Sequence, residues 1–340
     1  LRWAAGGRRW STGRTALPAV HSRCSASTKA GPPGRSIATR CGTGSRLGDN
    51  VPMNRWLLGA RPRTLPAAVV PVALGAAAAA GEAGAVWWRS ALALVVSLAL
   101  QVGVNYANDY SDGVRGTDEV RVGPTRLVAS GLAAASAVKR AALAAFAVAA
   151  VAGLVLAAVT SWWLLAVGAA ALLAGWGYTG GPKPYGYLGL GEVFVFTFFG
   201  LVATVGTTYV VVERMPAVSW LAGCVAGCLA CALLVVNNLR DIPTDREVGK
   251  RTLAVRLGDG PTRWFFVLLV VAALALVAVI ALTGRPWAAI GLVGAVAASP
   301  AVAAIRQGAI GHDLIAVLGA TGRAQLVVGL LSAAGMALSA

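Results

Sequence analysis

The chain has 340 residues, 57% of them hydrophobic and 12% charged, with a mean hydropathy of +0.72 and a formal net charge of +16. That balance excludes a soluble globular domain and places the chain in a bilayer. It also weakens any reading of the positive charge as a nucleic-acid surface, because basic residues in such a chain must first be sorted by where they lie relative to the apolar stretches.

Residues 1–50 hold nine of the 29 basic residues, are rich in Arg, Ser, Gly, Pro and Thr, and carry Asp49 as their one acid. Such a segment cannot bury enough apolar surface to fold and is expected to be disordered. Its composition is superficially that of an organelle transit peptide. Met53, however, directly precedes a basic and then apolar segment. The expectation is therefore that Met53 is the native start and that residues 1–52 lie upstream of it. The excess of Arg over Lys, with abundant Ala, Gly and Val, suggests a GC-rich bacterial genome.

Apolar stretches of about 17–25 residues suffice to cross the hydrocarbon as helices. Nine are expected, at 65–81, 90–109, 138–159, 162–178, 190–212, 217–238, 263–282, 287–305 and 322–339. The fold class is thus all-α, a polytopic transmembrane bundle of nine helices over residues 53–340. With the N-terminus cytoplasmic, seventeen Lys and Arg fall on the cytoplasmic side and only Arg89, Arg214 and Arg285 on the other. This is the distribution the positive-inside rule requires, with the C-terminus external and the chain in a bacterial cell membrane. Cys224, Cys228 and Cys231 lie inside the sixth span and read as small packing residues. Gly223 and Gly227 of the same span form a close-packing GxxxG.

Of only 13 acids, seven fall in two windows: Asp109, Asp112, Asp118 and Glu119 after the second span, and Asp241, Asp245 and Glu247 after the sixth. The expected topology puts both windows at the cytoplasmic face. On a helix, Asn105, Asp109 and Asp112 share one side, as do Asn237, Asp241 and Asp245. Carboxylates 5–6 Å apart repel by about 3 kcal/mol at an effective dielectric near 20, so something cationic must compensate. Oxygen donors without nearby His or Cys favour a hard ion such as Mg2+. The plainer alternative is a solvated network of these acids with the neighbouring Arg and Lys. Interleaved acids and bases also suit a diphosphate, since the metal bridges carboxylate to phosphate while Arg and Lys take the remaining oxygens.

The stretch Asn108-Asp109-Tyr110-Ser111-Asp112-Gly113-Val114-Arg115-Gly116-Thr117-Asp118 resembles the first aspartate-rich motif of the UbiA-type intramembrane prenyltransferases, and Asp241-Ile242-Pro243-Thr244-Asp245 resembles the second. The resemblance covers nearly all of residues 53–340. The run Arg121-Val122-Gly123-Pro124-Thr125-Arg126-Leu127-Val128 and the opening Arg61-Pro62-Arg63-Thr64-Leu65-Pro66 are most similar to the branch that acts on 1,4-dihydroxy-2-naphthoate in menaquinone biosynthesis. One departure is that Gly116 stands in the third acidic place and Asp118 follows two residues later.

The resemblance implies transfer of a polyprenyl chain from its diphosphate to 1,4-dihydroxy-2-naphthoate, with loss of diphosphate and CO2. It implies Mg2+ on Asp109, Asp112, Asp118, Asp241 and Asp245. Asn105, Asn108, Asn237 and Asn238 are candidates for metal, phosphate or acceptor. Lys183, Arg126, Arg240 and Lys250 are candidates for the diphosphate, Tyr178 for the acceptor pocket, and Arg61 and Arg63 for the acceptor carboxylate. Glu192, near the start of the fifth span, is expected to have a structural partner. The alternatives are another aromatic acceptor, such as 4-hydroxybenzoate or homogentisate, and a secondary transporter. A transporter would place its acids near the midplane rather than at helix ends.

Overall fold

The computed structural model describes residues 54–116, 125–181 and 184–340, which belong to one compact unit spanning Val51–Ala340. The expectations about residues 1–52 and Met53 lie outside the described residues, as do Asp118 and Lys183. Among the described residues every regular element is helical. A bilayer demands this, because hydrocarbon offers backbone groups no partner outside the chain.

The first span is bent. Helix α1 (Arg55–Ala60) stops at Arg61, whose φ of 53° is left-handed. A 3-10 turn, Pro62–Thr64, follows, and α2 (Pro66–Ala79) starts with Pro66 at a position where its missing N–H is not needed. The two parts meet at 52°. Next come α3 (Trp88–Arg115), α4 (Ala135–Val159), α5 (Leu164–Gly177), α6 (Gly191–Val212), α7 (Ala217–Glu247), α8 (Leu253–Leu257), α9 (Asp259–Leu282), α10 (Pro286–Arg306) and α11 (Asp313–Leu338). Among the described residues seven helices are long and apolar enough to cross a membrane, or eight with the bent pair. The remaining expected span is α5, whose 14 residues reach about 21 Å against a hydrocarbon thickness near 30 Å.

The spans expected at 90–109 and 217–238 continue as helix to Arg115 and Glu247. Hydropathy marks where a helix leaves hydrocarbon, but a helix ends only where a cap ends it. For α3 that is Gly116, left-handed at φ 73°. Asp109, Asp112, Asp241 and Asp245 therefore ride on helical turns. The last span likewise begins at Asp313 rather than 322, with its acid in the first turn, where the helix dipole favours it.

Helix α7 is the most buried of the long helices and packs against α2, α6, α9 and α11. Its small residues permit the approach: Gly200 of α6 sits so close that a Cβ there would lie 2.6 Å from the Cα of Gly227. The GxxxG of Gly223 and Gly227 is thus a helix-packing face, and Cys228 and Cys231 are buried free thiols within the core. Helices α3 and α4 form a second packed pair beside this core.

Candidate active site

A cavity of about 480 Å³ runs between α2, α3, α4, α5, α6 and α7. Most of its wall is apolar, and one end is polar. Asp112 and Asn108 of α3 and Asp241 and Asn237 of α7 all line this one cavity. Two motifs more than a hundred residues apart along the chain therefore serve a single space.

On α3, Gln101, Asn105, Asn108 and Asp112 line the cavity, but Asp109 does not. Its carboxylate is 1% exposed and accepts the backbone N–H of Leu127 at 2.8 Å and of Val128 at 3.0 Å, one on each oxygen. Asp112 points inward instead. Its Oδ1 accepts the hydroxyl of Tyr187 at 3.0 Å, and Arg126 Nη2 stands 3.8 Å from its Oδ2. Asn108 Oδ1 accepts the hydroxyl of Thr179 at 2.7 Å.

On α7, Asp241 is gripped by its neighbour: Arg240 Nε donates to Oδ1 at 2.7 Å and Nη2 to Oδ2 at 3.0 Å. This two-pronged pair is 6% and 4% exposed. Arg240 itself is behind the cavity wall, and its Nη1 is buried with no hydrogen-bond partner among the described residues. Asp245, one turn further on, lies 3.5 Å from Lys250 Nζ, and Lys250 does line the cavity. Asn238 donates to Glu192 Oε1 at 2.9 Å, which is the structural partner that acid required.

The connector between α5 and α6 closes the polar end. Tyr178 lines the cavity and meets the edge of Tyr185, which stacks on Phe194 at 3.9 Å and donates its hydroxyl to the Ala174 carbonyl at 2.7 Å. Burial pushes the Tyr185 phenol up, so it stays a neutral donor. Tyr187 is the junction of the site. Besides its bond to Asp112, its ring lies under the Arg115 guanidinium at 5.4 Å and the Lys250 ammonium at 5.1 Å. Arg115 also donates to the carbonyls of Thr179 and Gly181.

The bent N-terminal span adds a second polar corner. Arg61 and Thr64 line the cavity beside Gln101 and Asn105, and Asn105 Nδ2 donates to Thr64 Oγ1 at 3.0 Å and to the Ala60 carbonyl at 2.9 Å. Arg61 Nη2 is buried without a hydrogen-bond partner among the described residues. Arg63, by contrast, is exposed and absent from the cavity wall. The left-handed turn at Arg61 directs these two residues to different surroundings.

The structure thus brings Asp112, Asp241, Asn105, Asn108, Asn237, Asn238, Arg126, Tyr178 and Lys250 to one cavity. It sets Asp245 and Arg240 beside the wall, and Asp109 and Arg63 away from it. Sequence reasoning missed Tyr187 and Thr179, whose only signal is their place in the connector following Trp176-Gly177-Tyr178.

The donors that face the cavity are oxygens, which suits a hard divalent ion. No three His, Cys, Asp or Glu among the described residues converge tightly enough to cage one. The residues fit Mg2+ nonetheless, because that ion is commonly held by one or two carboxylates and completed by substrate phosphate oxygens.

The sequence pattern described as the UbiA prenyltransferase family matches residues 68–312. The 1,4-dihydroxy-2-naphthoate octaprenyltransferase of Mycobacterium tuberculosis is 52% identical over 283 residues, covering 83% of this chain and 97% of that protein. The protein of the same name from Escherichia coli is 35% identical over 233 residues, covering 64% of this chain and 73% of that protein. A UbiA homolog from Archaeoglobus fulgidus, solved bound to GPP and Mg2+, superposes with a TM-score of 0.54 at 15% identity over 83% of this chain and 100% of its own. The structure of digeranylgeranylglyceryl phosphate synthase gives 0.57 at 16% identity, over 83% of this chain and 98% of its own. At these identities the likeness to the solved structures is one of fold.

Proposed function

This chain belongs to the UbiA prenyltransferase family, and on that premise we propose that it acts as a 1,4-dihydroxy-2-naphthoate polyprenyltransferase of menaquinone biosynthesis. One observation carries the reading of the site: Asp112 and Asp241 wall the polar end of a cavity whose remaining length is apolar, as a substrate with a diphosphate head and a hydrocarbon tail requires.

Arg126 and Lys250, both on the cavity wall, take phosphate oxygens. Mg2+ is the cofactor these residues would take: Asp112, Asp241 and Asp245 with Asn108 would hold it, together with Asp118, which lies outside the described residues. Bound there, it would supply positive charge against the diphosphate. Arg240 fixes the Asp241 carboxylate in one orientation, and Tyr187 does the same for Asp112. The polar corner of Arg61, Thr64, Gln101 and Asn105 receives the acceptor, with Arg61 on its carboxylate.

Cleavage of the allylic C–O bond sends its electron pair to the diphosphate, where Arg126 and Lys250 stabilise the growing charge. The electron-rich ring then forms the new C–C bond at the carbon bearing the carboxylate. Loss of CO2 returns that bond's electrons to the ring, so no separate proton acceptor is needed at that carbon. The apolar wall excludes water that would otherwise capture the allylic cation.

In the membrane, the chain crosses nine times, with α5 and the bent α1–α2 pair each counted as one crossing, the N-terminus cytoplasmic and the polar end of the cavity facing the cytoplasm. The bias of seventeen basic residues to three supports this arrangement. The test is mass spectrometry of products from labelled 1,4-dihydroxy-2-naphthoate, 4-hydroxybenzoate and homogentisate, each offered with polyprenyl diphosphates. Prenylation of the naphthoate with label-matched CO2 loss is expected. Preference for either other acceptor would reassign the substrate.

A further inference from the structure

We infer that Asp109, although it stands within the first aspartate motif, is not a metal ligand but a positioning residue that fastens the loop bearing Arg126 to the end of α3. The observation is the double bond already described: one carboxylate oxygen on the N–H of Leu127, the other on the N–H of Val128. Two successive backbone N–H groups form a small anion-binding concavity, and here a side chain of the same protein fills it. Asp109 is 1% exposed and contributes nothing to the cavity wall. Asp109 turns its carboxylate to the loop amides, whereas Asp245, which is also absent from the cavity wall, stands 3.5 Å from Lys250 Nζ, and Lys250 lines the cavity.

Helical geometry explains the separation. At about 100° per residue, Ser97, Gln101, Asn105, Asn108 and Asp112 fall within roughly 80° of one another on α3, and all five line the cavity. Asp109 lies about 60° round from Asp112, toward Tyr106 and Gly113. That flank faces the loop. Leu127 is fully buried in the cluster containing Tyr106, and Gly113 admits Val128 so closely that a Cβ would lie 2.6 Å from it. The loop is braced further by the Ala133 N–H on the Leu127 carbonyl at 3.0 Å. Arg126, the residue just before the two clamped amides, is thereby held against the cavity with its guanidinium near Asp112.

The inference rests on the reading of Arg126 as a diphosphate ligand. Its test uses the full chain in lipid nanodiscs with Asp109→Asn, Asp112→Asn, Arg126→Gln and the double variant Asp109→Asn/Arg126→Gln. Asp109→Asn keeps the volume and one acceptor, and Asp109→Ser serves where it does not fold. Three quantities are read: amide hydrogen exchange across residues 125–131, KM for the polyprenyl diphosphate, and the Mg2+ concentration for half activity.

Asp109→Asn is expected to speed exchange at Leu127 and Val128 about tenfold and to raise KM about tenfold, with the Mg2+ midpoint held within about twofold. The double variant should be no worse than Arg126→Gln alone, because the loop matters through that arginine. A Mg2+ midpoint that rises with Asp109→Asn as it does with Asp112→Asn overturns the inference, as do unchanged exchange rates or multiplying effects in the double variant. If Arg126→Gln leaves KM unchanged, the diphosphate role of Arg126 falls, and the exchange rates still decide whether Asp109 fastens the loop.

Discussion

The hydroxyl of Tyr187 donates to Oδ1 of Asp112 at 3.0 Å, joining the connector after α5 to the acidic C-terminal end of α3. The same residue touches the other motif, since Lys250, beside Asp245, lies over its ring, and its carbonyl accepts the N–H of Arg251. Tyr187 thus couples two carboxylate groups that come from distant parts of the chain. A hydrogen bond to a charged group contributes about 1.5–3 kcal/mol. Tyr187→Phe, which removes only the hydroxyl, is expected to lower kcat/KM for the polyprenyl diphosphate by about tenfold to a hundredfold, with the protein still folded. Steady-state kinetics in nanodiscs check it.

Asp241→Ala removes a carboxylate from the cavity and also strands the Arg240 guanidinium, which is buried beside it. Leaving a buried charge without its partner costs about 3–5 kcal/mol, so this variant should lose both activity and thermal stability. Asp241→Asn, which keeps the shape, should lose activity with less loss of melting temperature. Chelation by EDTA should abolish prenyl transfer in the wild-type protein, and added Mg2+ should restore it. Activity indifferent to EDTA would remove the metal from the mechanism.

Arg61 carries a buried, unpartnered Nη2 at the cavity wall. Arg61→Gln is expected to raise KM for the dihydroxynaphthoate by about tenfold or more, the loss of a charge-assisted bond, while KM for the polyprenyl diphosphate changes little. Arg63→Gln, exposed to solvent, serves as the control and should leave both values near wild type. Equal effects of the two substitutions would detach Arg61 from the acceptor.

The apolar length of the cavity follows one face of α6, from Val195 through Phe199, Val202 and Gly206 to Val210. Fifteen residues of helix span about 22 Å. A Cβ added at Gly206 meets no atom within 4 Å, so this glycine opens onto free space rather than onto a packed neighbour. Gly206→Phe should therefore fold normally yet obstruct long tails. In competition between octaprenyl and geranyl diphosphates, the ratio of their kcat/KM values is expected to fall about tenfold or more. An unchanged ratio would show that the tail does not pass this residue.

Much of the site was legible from spacing alone. The seven acids in two windows, the asparagines one turn before them and the basic residues interleaved with them identified the two helix ends that the fold brings together. The GxxxG face and the need of Glu192 for a partner were also readable, because close packing and the cost of a lone carboxylate in hydrocarbon are local demands, but that the partner is Asn238 was not. Tyr187 was not readable. It lies in a connector with no periodicity, and its importance comes from reaching across to Asp112 and Lys250, a distance that sequence does not encode.

The sequence by itself determined that the chain lives in a bilayer, that its described elements are helices, and that its acids gather in two windows after apolar spans, because hydropathy and helical periodicity are properties of residues taken in order. Only the tertiary structure decided which acid faces the cavity and which lies under a loop. Asp109 and Asp112 differ by about 60° around one helix, and what packs against each flank settles their roles. The same holds for Arg61 and Arg63, two residues apart, which a single left-handed turn sends to the cavity and to solvent.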